Sequence, residues 1–482
     1  MALIIGRKQE QQELLRLYKS DESEMVVVYG RRRVGKTFLV NNTFGENCFA
    51  FKLTGLYHQK MNIQLRNFAN ALREYSGNSS LPVPKSWMDA FDQLKLYLKN
   101  RDTNGRHVLF FDELPWLDTK GSNFLPAFEW FWNSWASAQC NILLIICGSA
   151  TNWIINKFFK HKGGLYNRAG SKLFLNPFSL AETEQYLKHR GIEMERYDVA
   201  QTYMIMGGIP YYLKQLEPGR TLADNIDNCF FRRNGRLWDE FDNLYETLFA
   251  NSDVYVKIVE SLAGKLIGLS REEILSATKL PDNGKISSAL RDLEKCGFIR
   301  AYRYFGRKAK LQTYQLADFY TLFYFRFIRD NYAIDEHFWT HMLDNPRKLN
   351  WLGYSFEQLI KSHINQVKRA LGIGSVLTEQ SGWHIDKRDL ADSSLTGAQI
   401  DLIIDRRDKA INICEAKFYS SEFVIQREYS MNLRNKVEAF RLATGTKKTL
   451  VPTMITTFGV KQNSYSGLIQ QQVTLNDLFS EA

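Results

Sequence analysis

The chain of 482 residues is too long for one ordinary core and predicts three or four domains. Its 44% hydrophobic and 24% charged residues exclude a disordered or fibrous protein. A formal net charge of +11 leaves two readings open, a polyanionic partner or a mild excess that keeps a long chain in solution.

Six scattered cysteines (Cys48, Cys140, Cys147, Cys229, Cys296, Cys414) show no paired spacing, which argues against a disulfide framework or a zinc motif. The N-terminal MALIIGRKQE lacks the apolar core of a signal peptide, and the longest apolar runs are far short of a bilayer span. A reducing cytoplasm, with no membrane contact, is the expected setting.

In chain order, residues 9–18 carry helical spacing, 25–29 (MVVVY) form an apolar run, 87–98 are helical again, and 108–111 and 142–147 are further apolar runs. Short, wholly apolar strands alternating with helices predict an α/β layer with a parallel sheet covered on both faces, here residues 1–175. Strand patterns then stop. Helices over 182–189 and 198–206, broken by Gly207-Gly208-Ile209-Pro210, predict a helical lid at 176–250.

Residues 251–318 predict a winged helix-turn-helix. Helices are expected over 254–262, over 271–277 with Ser270 as N-cap and Glu273 three residues on, and over 284–296 ending at Gly297. Strands over 298–304 and 311–316 flank a basic turn. The aromatic segment 319–350 (beginning FYTLFYFRF) predicts a helical connector, and 351–482 a second α/β unit.

Residues 30–37, Gly30-Arg31-Arg32-Arg33-Val34-Gly35-Lys36-Thr37, fit GxxxxGK[ST] without a mismatch, after an apolar strand and at the start of a helix. Such a loop wraps phosphates in backbone N–H groups at a helix N-terminus. Lys36 is expected on the β- and γ-phosphates of ATP and Thr37 on Mg²⁺. Asp112 and Glu113 close the strand 107–111 as the acidic pair that holds the metal and orients the attacking water. Ser149, after the strand 142–147, stands either at a sensor position beside the γ-phosphate or in an ordinary strand-to-helix turn. Arg168 is a candidate arginine finger or a plain surface charge.

Gly6-Arg7 with Glu10, the P-loop, Asp112-Glu113, Gly148-Ser149, Leu165-Tyr166-Asn167-Arg168 and residues 207–213 (GGIPYYL) together resemble the archaeal-type ATPase family of the AAA+/STAND group. The resemblance covers about residues 1–330 and continues into the family's C-terminal domain. It implies that Arg7 lies near the nucleotide base, that Arg168 acts on a neighbouring protomer, and that the chain is a homo-oligomer. Asn167 departs from the glycine usual before that arginine.

Lys285, Ser287, Ser288 and Arg291 share an exposed face of the third helix, with Ile286, Leu290 and Leu293 turned inward. The turn holding Arg303, Arg307, Lys308 and Lys310 is basic and interleaved with Tyr304 and Phe305. Both suit phosphate contacts on DNA, while the other reading is a protein-interaction module.

On the strand 399–404, Asp401 is followed at 415–417 by Glu415-Ala416-Lys417, and Glu357 lies on an amphipathic helix over 354–367. Alternation along a strand puts Glu415 and Lys417 on one face, with Cys414 and Ala416 toward the core. This set resembles the PD-(D/E)xK nucleases, a restriction-endonuclease-like α/β fold, with Ile400 in place of the usual proline. The resemblance implies that Asp401 and Glu415 hold Mg²⁺, that Lys417 positions a water or stabilises developing charge, and that Glu357 completes the site or binds a second metal. Either the site cuts DNA or the fold is retained without activity. The expected fold class is therefore multidomain α/β: a P-loop AAA+ core with a helical lid, a winged helix, and a restriction-endonuclease-like domain.

Overall fold

Six residues, EMVVVY, make the strand from which the N-terminal sheet is organised: β1 (Glu24–Tyr29), whose four central residues are buried. The computed structural model describes residues 2–101, 105–149, 151–160, 165, 168–249, 251–306, 312–390, 392 and 394–481. They fall into two units, Met1–Pro177 and Phe178–Ala482.

In the first unit β1 joins β2 (Phe49–Thr54), β3 (His107–Asp112), β4 (Ile142–Gly148) and β5 (Ser171–Phe174). The sheet order is β2-β3-β4-β1-β5, and every pairing is parallel. Every residue of β3 and β4 is buried, as a sheet covered on both faces requires. The sequence does not reveal β2 and β5. They are the two sheet edges, and each carries a lysine (Lys52, Lys172) that interrupts the apolar run, as edges do. All strands being parallel, the C-terminal ends of β1, β3 and β4 open on one rim.

The second unit begins with helices, and no strand precedes residue 269 among its described residues. Ser179 and Glu182 form a capping box on the helix Leu180–His189, and Gly207 ends Arg196–Met206 in the left-handed region. Three helices follow, Ser252–Gly264, Arg271–Thr278 and Gly284–Lys295, with the expected box of Ser270 and Glu273 on the second. They carry a three-stranded antiparallel sheet in the order β6-β8-β7, with β6 (Leu269–Ser270), β7 (Ile299–Tyr302) and β8 (Thr313–Leu316). The basic turn residues Arg307, Lys308 and Lys310 lie outside the described residues, as do Tyr166 and Asn167.

The helix Pro346–Ser362, capped by Asn345, runs across the expected boundary at 350/351. The helix expected over 354–367 is also interrupted, since His363 ends this helix and precedes Ile364–Ala370. A second sheet follows, ordered β13-β12-β11-β10-β9. Its strands are β9 (Thr378–Ile385), β10 (Ala398–Arg406), β11 (Ala410–Lys417), β12 (Thr449–Thr456) and β13 (Gln471–Thr474). The three strands β9, β10 and β11 run antiparallel in succession. After the helix Arg427–Thr444 the chain returns in β12, parallel to β11.

His363 is 3% exposed and sits at the join of two helices. Its Nε2 accepts from the Leu180 N–H (3.1 Å), and its Nδ1–H faces the Leu359 carbonyl (3.0 Å). The Nε2 contact needs the neutral ring, and burial pushes the pKa down to about 4 against the Leu359 hydrogen bond, which favours the charged form. An unfolded histidine takes up its proton near 6.5, so stability present above that pH is lost as pH falls towards 4. The loss amounts to about 2 kcal/mol at pH 5. Urea unfolding at pH 8 and pH 5 checks this: His363→Gln narrows its deficit against wild type by that amount on acidification.

Candidate active site

The loop between β1 and the helix Lys36–Thr43 grips its own lysine. Lys36 is buried, and its Nζ donates to the carbonyls of Gly30 (3.1 Å) and Arg31 (2.9 Å). The ammonium is thus held against the loop, where an incoming phosphate can replace two neutral acceptors. Gly30 has φ +144°, and a Cβ there would stand 2.5 Å from the Leu175 carbonyl oxygen, so only glycine lets the loop leave β1 beside that backbone. Arg33, at φ 72°, occupies the left-handed region, a strain of about 1–3 kcal/mol that functional loops commonly hold. Arg31 and Val34 are buried, while Arg32, Arg33 and Gly35 are half-buried.

Across the rim, the Thr37 hydroxyl donates to Asp112 Oδ2 (2.9 Å). The two groups expected to share Mg²⁺ therefore meet directly, and an oxygen-seeking cation suits a hydroxyl paired with a carboxylate. Glu113 is also left-handed, at φ 44°, which turns its side chain towards the end of β4. There the Ser149 N–H (3.0 Å) and hydroxyl (2.9 Å) both donate to Glu113 Oε2. Ser149 thus orients the carboxylate expected to position water. Arg7 reaches the Asn176 carbonyl (2.5 Å) and the Val34 carbonyl of the P-loop (3.4 Å). Arg168 is exposed, in a turn closed by its own N–H on the Leu165 carbonyl.

The second unit gathers a different cluster. β10 changes register against β9 between Ile400 and Ile403, and its pairing with β11 begins only at Leu402. Asp401 occupies this bulge, the kind of irregularity that re-aims a side chain. Its Oδ2 accepts the Ala416 N–H (3.2 Å), between Glu415 and Lys417. Glu415 is 2% exposed, as deeply buried as Cys414, so the expected division of β11 into a core face and an open face does not hold here. Both sides are covered because the helix Pro346–Ser362 packs on β11.

Glu415 Oε2 takes a hydrogen bond from Lys436 (2.7 Å), while Oε1 is buried without one. Burial, then the charge of Asp401, pushes Glu415 up to about 7. The same two causes raise Glu357 to about 8, opposed by Lys361 one helical turn on. Lys361 is lowered to about 8, chiefly by burial. Lys417 Nζ lies 5.3 Å from the Tyr429 ring centre. Among the described residues no three His, Cys, Asp or Glu side chains form a group able to hold a metal. Glu357 lines one pocket with Asp401 and Glu415. Asp401 and Glu415 alone still fit Mg²⁺, which binds through one or two carboxylates with water and substrate phosphate, and the bare Glu415 Oε1 supplies a ligand atom.

Sequence reading misses Lys361, Lys436, Tyr302 and Tyr429. Lys361 is detectable as the i+4 partner of Glu357. The others come from separate elements, and no local spacing marks them.

A strand-to-helix phosphate loop, its lysine and threonine, and an acidic pair on the neighbouring strand end define a P-loop nucleoside triphosphatase. Residues 5–216 match the family model described as an ATPase domain predominantly from Archaea, a likeness that supports ATP binding and hydrolysis by this part of the chain. An uncharacterised protein of Methanocaldococcus jannaschii is 24% identical over 427 residues, covering 86% of this chain and 88% of the relative. A Walker-type ATPase of Pyrococcus abyssi is similar at 18% identity and a TM-score of 0.46, over 67% of this chain and 96% of its own. The ORC2 protein of Aeropyrum pernix, in complexes with ADPNP and ADP, is similar at 14% identity and a TM-score of 0.43, over 70% and 95%. No helix among the described residues is long and apolar enough to cross a membrane.

Proposed function

We propose that the ATPase domain controls a DNA-binding module and a Mg²⁺-dependent deoxyribonuclease on the same chain. On this reading residues 1–175 are the ATPase core, 176–250 its lid, 251–318 a winged helix, 319–350 a connector and 351–482 a PD-(D/E)xK domain. The observation that carries it is the bulge at Asp401, which brings that carboxylate onto the Ala416 N–H beside Glu415 and Lys417. Mg²⁺ bound there would polarise a phosphodiester and lower the pKa of a bound water. Asp401 and Glu415 hold the cation, Lys417 orients the water or the scissile phosphate, and Glu357 with Lys361 lines the approach.

DNA binding by the winged helix is supported by Lys285 and Arg291, both exposed on Gly284–Lys295, while Ile286, Leu290 and Leu293 are buried. Exposed Arg168 supports a finger acting on a second copy, hence a homo-oligomer. Steady-state ATP turnover measured with duplex, branched and single-stranded DNA tests the coupling. One form is expected to raise turnover several-fold, and Lys285→Glu with Arg291→Glu to remove the rise. Turnover indifferent to every DNA sinks the reading.

A second reading, a nucleotide-gated DNA-binding regulator with an inactive nuclease fold, is favoured by Lys436, whose ammonium occupies Glu415 Oε2. It requires DNA binding that survives Glu415→Ala and Lys417→Ala, with no nicking by the wild type.

A further inference from the structure

The residues that follow β7 do not stand free. Beyond Tyr302 the chain leaves the sheet of β7 and joins the C-terminal one, where Tyr304 bridges in parallel to Gly382 of β9. The Phe305 N–H donates to the Gly382 carbonyl (2.8 Å), and the Phe305 ring lies 5.0 Å from that of Phe440. Gly382 is required by this fit, since a Cβ there would stand 2.3 Å from the Tyr302 hydroxyl oxygen. The same hydroxyl donates to the Asp401 carbonyl (3.4 Å), and Lys361 Nζ lies 4.8 Å from the Tyr302 ring centre. Tyr302, Tyr304 and Phe305 thereby form a roof over the carboxylates.

Under it lies a cavity of about 370 Å³. Tyr304, Tyr354 and His384 stand on its walls, and Glu357, Lys361 and Asp401 line it too. The Tyr304 and His384 rings meet edge to face at 4.8 Å. That volume belongs to the range of sites for one small molecule. A stacked duplex cannot enter beneath a roof hydrogen-bonded to β9. A single unpaired nucleotide can: its base has a face for the aromatic walls, and its phosphate a cation in Lys361.

We propose that this cavity takes one unpaired nucleotide, in a single strand or free, and delivers its phosphate to Asp401 and Glu415. This rests on the nuclease reading for what happens next, but not for binding. The test is anisotropy of a labelled oligothymidylate and of a duplex of equal length. It uses the full chain in the Lys36→Ala background, with Ca²⁺ in place of Mg²⁺. Tyr304→Ala is expected to weaken the single strand about tenfold, the usual effect of removing a stacking ring. Tyr304→Phe should restore it, and duplex affinity should not move.

Competition by free dTMP assigns the cavity to a free nucleotide, and its failure to compete assigns it to a strand. A Tyr304→Ala variant that binds single strand as wild type does, or that loses both DNAs equally, overturns the proposal. Binding as expected without cleavage in Mg²⁺ would leave the cavity assigned and defeat only the nuclease reading.

Discussion

Lys36→Ala removes ATP turnover and leaves the first unit folded. The side chain is buried, yet the acceptors of its ammonium are two carbonyls of its own loop. Losing it therefore leaves those carbonyls beside an open phosphate site rather than in a sealed core. The charge it withdraws is the one placed to meet the γ-phosphate as negative charge develops there. Preorganised donors of this kind are worth about a hundredfold to a thousandfold in rate each. Phosphate release should fall by at least that factor, with the thermal midpoint little changed. Glu113→Gln should also slow turnover but retain nucleotide, since it spares the Lys36 grip and the Thr37–Asp112 contact. Turnover within tenfold of wild type in Lys36→Ala would remove the P-loop from the chemistry.

Asp401→Asn has the second large effect. Asparagine keeps an oxygen for the Ala416 N–H, so the bulge and the β10–β11 pairing survive. What it loses is the charge that, after burial, most raises Glu415 and Glu357. Both carboxyls should then titrate lower, nearer their ordinary range, while the pair that fits Mg²⁺ is reduced to Glu415 alone. On the proposed reading DNA cleavage falls by at least a hundredfold, beyond the tenfold to hundredfold cost of losing a group that merely supports a metal ligand. Asp401→Ala should add a stability loss of about 1–3 kcal/mol, because the Ala416 N–H then has no acceptor. Product gels and urea unfolding separate the two effects.

Much of the fold and of the site is legible in the sequence, for physical reasons that differ by element. The phosphate loop is legible because its chemistry is local: eight consecutive residues set the turn, the helix start and the ligands together. The box of Ser270 and Glu273 is legible for the same reason. Buried central strands announce themselves as apolar runs, whereas β2 and β5 do not, because edge positions admit Lys52 and Lys172. Asp401 and Glu415-Ala416-Lys417 can be seen as a pattern, but the bulge that joins them cannot. Register against β9 depends on a strand whose pairing is non-local. Nor does any spacing mark Lys436, twenty-one residues after Glu415 and on the helix Arg427–Thr444, as its partner. The roof is the least legible feature of all. A basic turn reads as a DNA-facing wing, and no local spacing shows that Tyr304 and Phe305 at its start lie against β9 and Phe440.

Two phosphate chemistries on one chain is the central claim, and the C-terminal one is the more exposed to test. The direct measurement is a product gel of single-stranded and duplex DNA incubated with ATP and the wild-type chain, in Mg²⁺ and in a chelator, beside Asp401→Asn. The account predicts fragments from the wild type in Mg²⁺ only, and none from the variant. A wild type that turns over ATP but cuts nothing, or a variant that cuts as well as wild type, would contradict it.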